Sequence, residues 1–292
     1  MNITFKQLRV FVAIARGGTL TQAAAQLFMT KGALSQTLSE LESQLGVRLF
    51  ERQHARLLLN HEGQRLLPVA DELLTRMQGV EALFDNGNGD TRLLVGCTKT
   101  IGSYLLPDLL CAFQQRYGWL PLPIIANTQA IAGMVAGFEL DVALLEGPVT
   151  DPALLCHPWI EDEMVVVASL AHPLAGSGPL TFEQLSRERW LLREAGSASR
   201  AFFDHQLAPC LDNPQVVLSL DAFDAILACV KNNLGITFIS RRMLEQPLYA
   251  GQFCTLPCEQ RFSRHFSLCL QRSKYLSPTL NLWLDFCRNW RT

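Results

Sequence analysis

Residues 21–52 read TQAAAQLFMTKGALSQTLSELESQLGVRLFER. Ala23, Ala24 and Ala25 are small enough to let a second helix approach closely. After a short break, Thr30 offers a hydroxyl to cap a new helix. There Leu34, Leu38, Leu41 and Leu45 fall at i, i+4, i+7 and i+11, a single apolar stripe, and Gly46 stops it. Lys31, Ser35, Gln36 and Ser39 lie off that stripe, and no acid appears before Glu40. Upstream, Phe5, Leu8, Phe11, Val12 and Ala15 predict a helix over residues 4–16, ended by Gly17-Gly18. Thr19 stands three residues before Gln22, a capping-box pattern. A solvated outer face usually mixes acids with bases. This one holds donors suited to phosphates and base edges, and so reads as a helix-turn-helix and not a plain αα-hairpin.

Downstream, VRLFERQHARLLLNHEG predicts two short strands, Val47–Phe50 and Arg56–Leu59, with Arg52, His54 and Arg56 near their turn. That is a wing to lie along a DNA backbone. Residues 1–60 carry seven basic and three acidic side chains, while the remainder carries 18 basic and 24 acidic. A basic module on an acidic body suggests that one end meets a polyanion.

At this point the chain resembles the LysR-type transcriptional regulators, whose pattern is F-x-x-A-A-x-x-L-x-x-S-Q-x-A-L-S-x-x-I-x-x-L-E-x-x-L-G-x-x-L-F-x-R. It matches at Ala23, Ala24, Leu27, Ala33, Leu34, Ser35, Leu41, Glu42, Leu45, Gly46, Leu49, Phe50 and Arg52. It departs at Leu20 for Phe, Thr30 for Ser, Lys31 for Gln and Gly32 for Pro. Lys31 and Gly32 stand where the recognition helix enters the groove, so they bear on base preference. The expected DNA-binding residues are Thr30, Lys31, Ser35, Gln36, Ser39, Arg52 and Arg56, and the partner is double-stranded operator DNA.

Leu66, Ala70, Leu73, Met77, Val80 and Phe84 alternate steps of four and three, a heptad seam. Pro68 is expected near the start of that helix, where the first turn lacks internal N–H partners. Asn86-Gly87-Asn88-Gly89-Asp90 then separates the helix from the rest of the chain. The seam reads as a dimer contact, and the resemblance implies a linker helix that pairs two subunits, assembled into dimers or tetramers. Two recognition helices then reach two half-sites about one DNA turn apart.

Residues 92–292 alternate strand-like with helix-like segments. Strands are expected at Leu93–Cys97, Leu122–Ala126, Val142–Leu145, Met164–Ala168, Trp190–Leu192, Val216–Leu220, Ile236–Ile239 and Phe266–Leu270. Helices are expected at Tyr104–Tyr117, Ala222–Asn232 and Ser277–Arg291. Alternation of this kind predicts parallel sheets covered by helices. The stretches GCTKTIGSYLLP, HPLA, REAGSASR and NNLGITFIS resemble the family's effector-binding domain, which is two-lobed. The expected fold is therefore an α+β winged helix-turn-helix over 1–60, a linker helix and hinge over 61–90, and an α/β two-lobed effector domain over 91–292. By analogy lobe I is about 91–161 with 267–292, and lobe II about 162–266.

Ligands in such folds bind beyond the carboxyl ends of strands, where helices begin. Thr98, Thr100, Ser103, Asn127, Thr128, Ser197 and Ser199 stand at such places. Each alone reads as a helix cap; three such starts converging read as a pocket for a small oxyanion or carboxylate effector. The T-x-T spacing of Thr98 and Thr100 resembles family members that respond to inorganic sulfur oxyanions. Lys99 either adds charge or points to solvent. Arg193 and Arg200 lie close in sequence.

Neither a signal peptide nor an apolar run of about 20 residues appears, which predicts a cytoplasmic protein with no membrane partner. The nine cysteines are scattered and read as reduced thiols, and Cys254 with Cys258 lacks the second pair a metal site would need. No metal and no cofactor are expected. A solute-binding transport protein and a redox-responsive regulator are the alternatives. An enzyme is the third class, but no G-x-S-x-G, H-E-x-x-H or P-loop pattern supports one, and no catalytic residue is assigned.

Overall fold

A computed structural model of the chain describes residues 2–53, 56–82, 92–147 and 149–290. His54, Phe84 and Asn86–Asp90 lie outside the described residues.

The head is α1 (Phe5–Gly17), α2 (Leu20–Gln26), α3 (Lys31–Leu45) and a hairpin of β1 (Phe50–Gln53) and β2 (Arg56–Leu59). Thr4 and Gln7 form a reciprocal capping box on α1, and Gly18 (φ 64) closes it in the left-handed region that glycine tolerates. At α2 the expected box is half made. Thr19 Oγ1 accepts from the Gln22 N–H, but the Gln22 side chain accepts from the Thr19 hydroxyl and not from its backbone. Thr30 caps α3 and Gly46 ends it. Leu34, Leu41, Phe11, Ile14, Ala23 and Leu49 are buried together, each large one contributing about 2 kcal/mol. The first wing strand starts at Phe50, not Val47. Glu42 takes up the segment before it, its Oε1 accepting from the Leu49 N–H at 2.7 Å.

The linker α4 runs from His61 to Ala82, so Pro68 lies two turns inside the helix and not in its first turn. The expected seam is divided. Ala70 is buried in the head's own core, with Leu66 packed against it, while Leu73 and Val80 are exposed.

The effector domain is β3 (Leu94–Thr98), α5 (Lys99–Tyr104), α6 (Leu106–Tyr117), β4 (Leu122–Ala126), α7 (Thr128–Ala136), β5 (Val142–Glu146), β6 (Leu154–Ser169), α8 (Phe182–Ser186), β7 (Arg189–Arg193), α9 (Ala198–Phe202), β8 (Gln215–Leu220), α10 (Phe223–Lys231), β9 (Thr237–Ser240), α11 (Arg241–Leu244), β10 (Phe253–Leu256), β11 (Phe262–Gln271) and α12 (Pro278–Asn289). The expected helix over 104–117 is α6, which starts at Leu106; Tyr104 ends the separate short helix α5.

The sheet is mixed, which corrects the expectation of parallel sheets. β4, β3 and β5 pair in parallel, as do β7 and β8, but β11 runs antiparallel to β5 and β6, and β6 runs antiparallel to β9 and β10. β6 and β11 are long enough to belong to both lobes. Their ladder slips between Phe266 and Ser267, opposite Ile160 and Pro158, so Trp159 is the bulged residue. Pro158 has no N–H for the ladder, and the Trp159 indole donates to the Cys287 carbonyl at 2.7 Å. Cores lie on both faces of the lobe I sheet, around Phe113 and Trp283 and around Ile131 and Leu145. In lobe II the core gathers around Trp190 and Phe203.

Cys156 and Cys269 stand directly opposite each other in the β6–β11 ladder and form a disulfide. The expectation of nine reduced thiols is corrected to seven free ones.

Candidate functional site

Two regions gather the side chains expected to act. On the head, Lys31, Gln36 and Ser39 are exposed and Ser35 is half-buried, all off the leucine stripe of α3. The Gln36 amide donates to Glu40 at 3.1 Å, which holds it across one turn. Thr30 is occupied in accepting from the Ala33 N–H. Ser35, Ser39 and Arg52 line one groove between α3 and the wing. Arg56 is exposed on the second wing strand, facing Gln53 in register. Sequence reasoning missed Arg48, which lines the same groove, and Phe28. Phe28 is 98% exposed in the turn before α3, at φ 53. A lone Phe between a helix end and a cap carries no pattern that would flag it.

The second region lies where β3, β4, β5 and β7 end. Thr98 closes β3, Asn127 follows β4, Glu146 closes β5 and Arg193 closes β7, and their ends meet in one cleft between the lobes. Of the seven residues expected there, Thr98, Thr100, Asn127, Thr128, Ser197 and Ser199 line it. Ser103 does not; it sits on the exposed side of α5. Asn127 and Ser197 act as caps, accepting from the Ala130 and Arg200 N–H groups. Thr100 gives both its donors to Glu146, the amide at 3.0 Å and the hydroxyl at 2.9 Å. Thr98 and Thr128 differ from these, because their hydroxyl oxygens are buried with no partner. Such orphans cost free energy unless something fills them.

Lys99, Arg193, Glu146 and Glu194 also line the cleft, and the two carboxylates were not identified from the sequence; Arg264 and Asp162 lie behind Glu146. Arg264, on β11, forms an ion pair with Glu146 at 3.0 Å and donates from Nε to Asp162 at 2.7 Å, and Ser240 donates to Asp162 at 2.5 Å. Burial pushes the Asp162 carboxyl above its ordinary value against the pull of Arg264 and Ser240. Arg193, buried beneath the cleft, grips Glu194 with Nε at 2.7 Å and Nη2 at 2.9 Å, and lies 4.0 Å over the Phe223 ring. Lys99 does add charge: it crosses from lobe I to reach Glu194 at 3.4 Å and the Asp221 carbonyl at 3.1 Å. Burial pushes the Glu194 carboxyl up, but the bonds and charge of Arg193, helped by Lys99, outweigh it and hold it below its ordinary value. Tyr104 of α5 packs edge-on against Phe223, which also ties the lobes. The enclosed space has room for roughly one water molecule. Paired cations, orphan hydroxyls and helix starts at one strand end suit a small anion.

Elsewhere, the Cys254 and Cys258 thiols turn to backbone carbonyls, and burial pushes Cys258 up to about 11. Among the described residues no helix is long and apolar enough to cross a membrane, and no group of three His, Cys, Asp or Glu could hold a metal.

Comparison with known proteins identifies the family and the fold. Residues 5–64 match the model for bacterial regulatory helix-turn-helix proteins of the lysR family, and residues 86–292 match the LysR substrate binding domain. The HTH-type transcriptional regulator YeiE of Escherichia coli K12 is 37% identical over 289 residues, 98% of this chain and 98% of the relative. A full-length OxyR variant from Pseudomonas aeruginosa superposes with a TM-score of 0.74 at 22% identity, over 99% of this chain and 96% of that one, a likeness of fold. The Synechocystis CcmR regulatory domain in complex with 2-PG gives a TM-score of 0.63 at 25% identity, over 68% of this chain and 95% of that one.

Proposed function

The chain belongs to the LysR family of bacterial transcriptional regulators, and we propose that it reads operator DNA as a dimer or tetramer under the control of a small anion held between its lobes. It is a DNA-binding regulator and not an enzyme. Its working place is the cytoplasm, where its DNA target is.

On the head, Thr30, Lys31, Ser35, Gln36 and Ser39 face the major groove, and Arg52 and Arg56 hold phosphates. In the cleft, Thr98, Asn127, Thr128, Ser197 and Ser199 receive the anion, with Arg193 and Lys99 supplying charge. Thr100 serves by fixing Glu146. The observation that carries this reading is the pair of buried, partnerless hydroxyls on Thr98 and Thr128 beside a buried guanidinium. Neutral donors and helix starts hold an anion through aligned dipoles. The similar CcmR domain, seen in complex with 2-PG, gives precedent for a small ligand in a domain of this fold.

A thermal-shift screen of sulfate, sulfite, thiosulfate, phosphate and small carboxylates tests the reading. A ligand at a hundredfold excess over its Kd adds about 2.7 kcal/mol. The hit should weaken when Thr98 becomes Val, which keeps the shape and removes the hydroxyl. Stabilisation only by large aromatic or uncharged compounds would refute an anionic effector.

A redox-responsive regulator is the second reading, favoured by the Cys156–Cys269 crosslink between the two strands that the lobes share. A thiol count on the unfolded, unreduced protein should find seven free thiols; nine would remove its basis.

A further inference from the structure

Arg193 and Glu194 are neighbours in sequence, and in a regular strand neighbouring side chains point to opposite faces. Here they meet. The ladder of β7 ends at Arg193. Glu194 makes one more backbone bond, its N–H donating to the Leu220 carbonyl at 3.0 Å, and the chain then turns through Gly196 at φ 88. Released from strand alternation, the Glu194 side chain folds back over Arg193 and takes up Nε and Nη2 in a two-pronged bond. The same carboxylate receives Lys99 from the other lobe.

Resting on the anionic-effector reading above, we propose that Glu194 is a built-in competitor for the effector: its carboxylate occupies the two cations of the cleft, and an incoming anion binds by displacing it. The exchange is lopsided in what can move. Arg193 is 3% exposed at its side chain and stacked on Phe223, so it stays in place. Glu194 is 29% exposed and has a route to water. The cleft has room for roughly one water, so a larger guest needs a group to leave it, and of the two carboxylates that line it Glu146 is buried while Glu194 has a route to water. Thr98 Oγ1, buried and partnerless in the same cleft, is a contact that Glu194 does not fill and a displacing anion can. The anion must therefore offer more than a carboxylate does, which favours doubly charged or many-oxygen ions over chloride. Lys99 is shared between lobes, so the exchange also replaces one link of the interlobe clamp by the ligand itself.

The test compares the full chain with Glu194→Gln, which keeps the side chain's shape and removes its charge. Both are titrated with sulfate, thiosulfate, phosphate and acetate at constant ionic strength in chloride. Displacement predicts that an anion that stabilises the parent binds the variant about tenfold more tightly, the effect of removing a competitor worth roughly 1.4 kcal/mol. A second variant, Glu194→Ala, should lose stability that acetate restores and acetamide does not. Equal anion affinity in parent and Glu194→Gln overturns the competitor role and leaves the anionic effector standing. A panel in which no anion stabilises either protein overturns both. Should Glu194→Ala fail to fold, the Gln titration decides alone.

Discussion

Gly63 sits where α4 crosses the head, and a Cβ added there would overlap the Leu49 carbonyl oxygen and lie 2.7 Å from Leu59 Cδ2. Backbone cannot yield as a flexible side chain does. Gly63→Ala should therefore cost about 1–3 kcal/mol of head stability, the usual range for overpacking, read by chemical denaturation. A change below half that would mean that α4 shifts freely on the head. The recognition residues make a different prediction. Gln36→Ala should alter which operator is preferred, whereas Arg56→Ala should weaken all sequences alike and lower the salt slope by about one. Unchanged affinity in both at physiological salt would remove those residues from the interface. At this scale the sequence was legible wherever the cause was local. The leucines of α3 and the caps at Thr30, Asn127 and Ser197 depend on neighbours within four positions. Glu146, Asp162 and Arg264 were not legible, because each acquires its meaning from a partner about a hundred residues away.

Among elements, α4 presents two faces. Leu67 and Ala70 are buried in the head, while Val69, Leu73 and Val80 are between 41% and 56% exposed along another side. The heptad read from sequence mixed the two. A spacing of four and three specifies a stripe but not what covers it, and Leu66 and Ala70 are covered by the chain's own helices. We propose the exposed set as the surface that a second copy covers. Leu73→Glu with Val80→Glu should reduce the molar mass in light scattering to that of a monomer, with little loss of fold because neither side chain is buried. If those variants keep the parent mass, the assembly uses another surface. β6 shows the same limit in a strand. Its buried half, from Met164, was legible as an apolar run, but residues 154–163 were not. That half carries Pro158, the bulged Trp159 and three acids, and is held in the sheet by β11 and not by its own propensity.

Across the whole molecule, two paired strands connect the cleft to the head. β5 has Asp141 just before its first residue and Glu146 at its last, and β11 has Arg264 near its start and Lys274 just past its end. At the cleft end, Thr100, Glu146 and Arg264 are joined. At the other end, roughly 17 Å away for five residues of strand, Lys274 forms ion pairs with Asp141 and Asp71 at 2.9 Å each. Asp71 belongs to the linker helix and takes Arg16 of α1 at 2.8 Å. Asp141 also accepts the Leu94 N–H at 2.8 Å, and Arg76 of α4 lies 4.2 Å over the Tyr275 ring. Two cations and two carboxylates are thus balanced between head and lobe I, with Asp71 and Lys274 buried. Removing one member leaves the other's charge buried and unmatched, so Asp71→Asn and Lys274→Met should each cost about 3–5 kcal/mol. Changing both together removes the charge with its partner, so the double variant should lose clearly less than the sum of the singles. That double variant separates stability from communication: it should stay folded and still bind an anion, while the anion's effect on DNA affinity falls, because the ion pair that ties the end of β11 to the linker helix is gone. Additive losses in the cycle would show that Asp71 and Lys274 act independently. Undiminished anion control of DNA binding in the folded double variant would show that the signal reaches the head by another route.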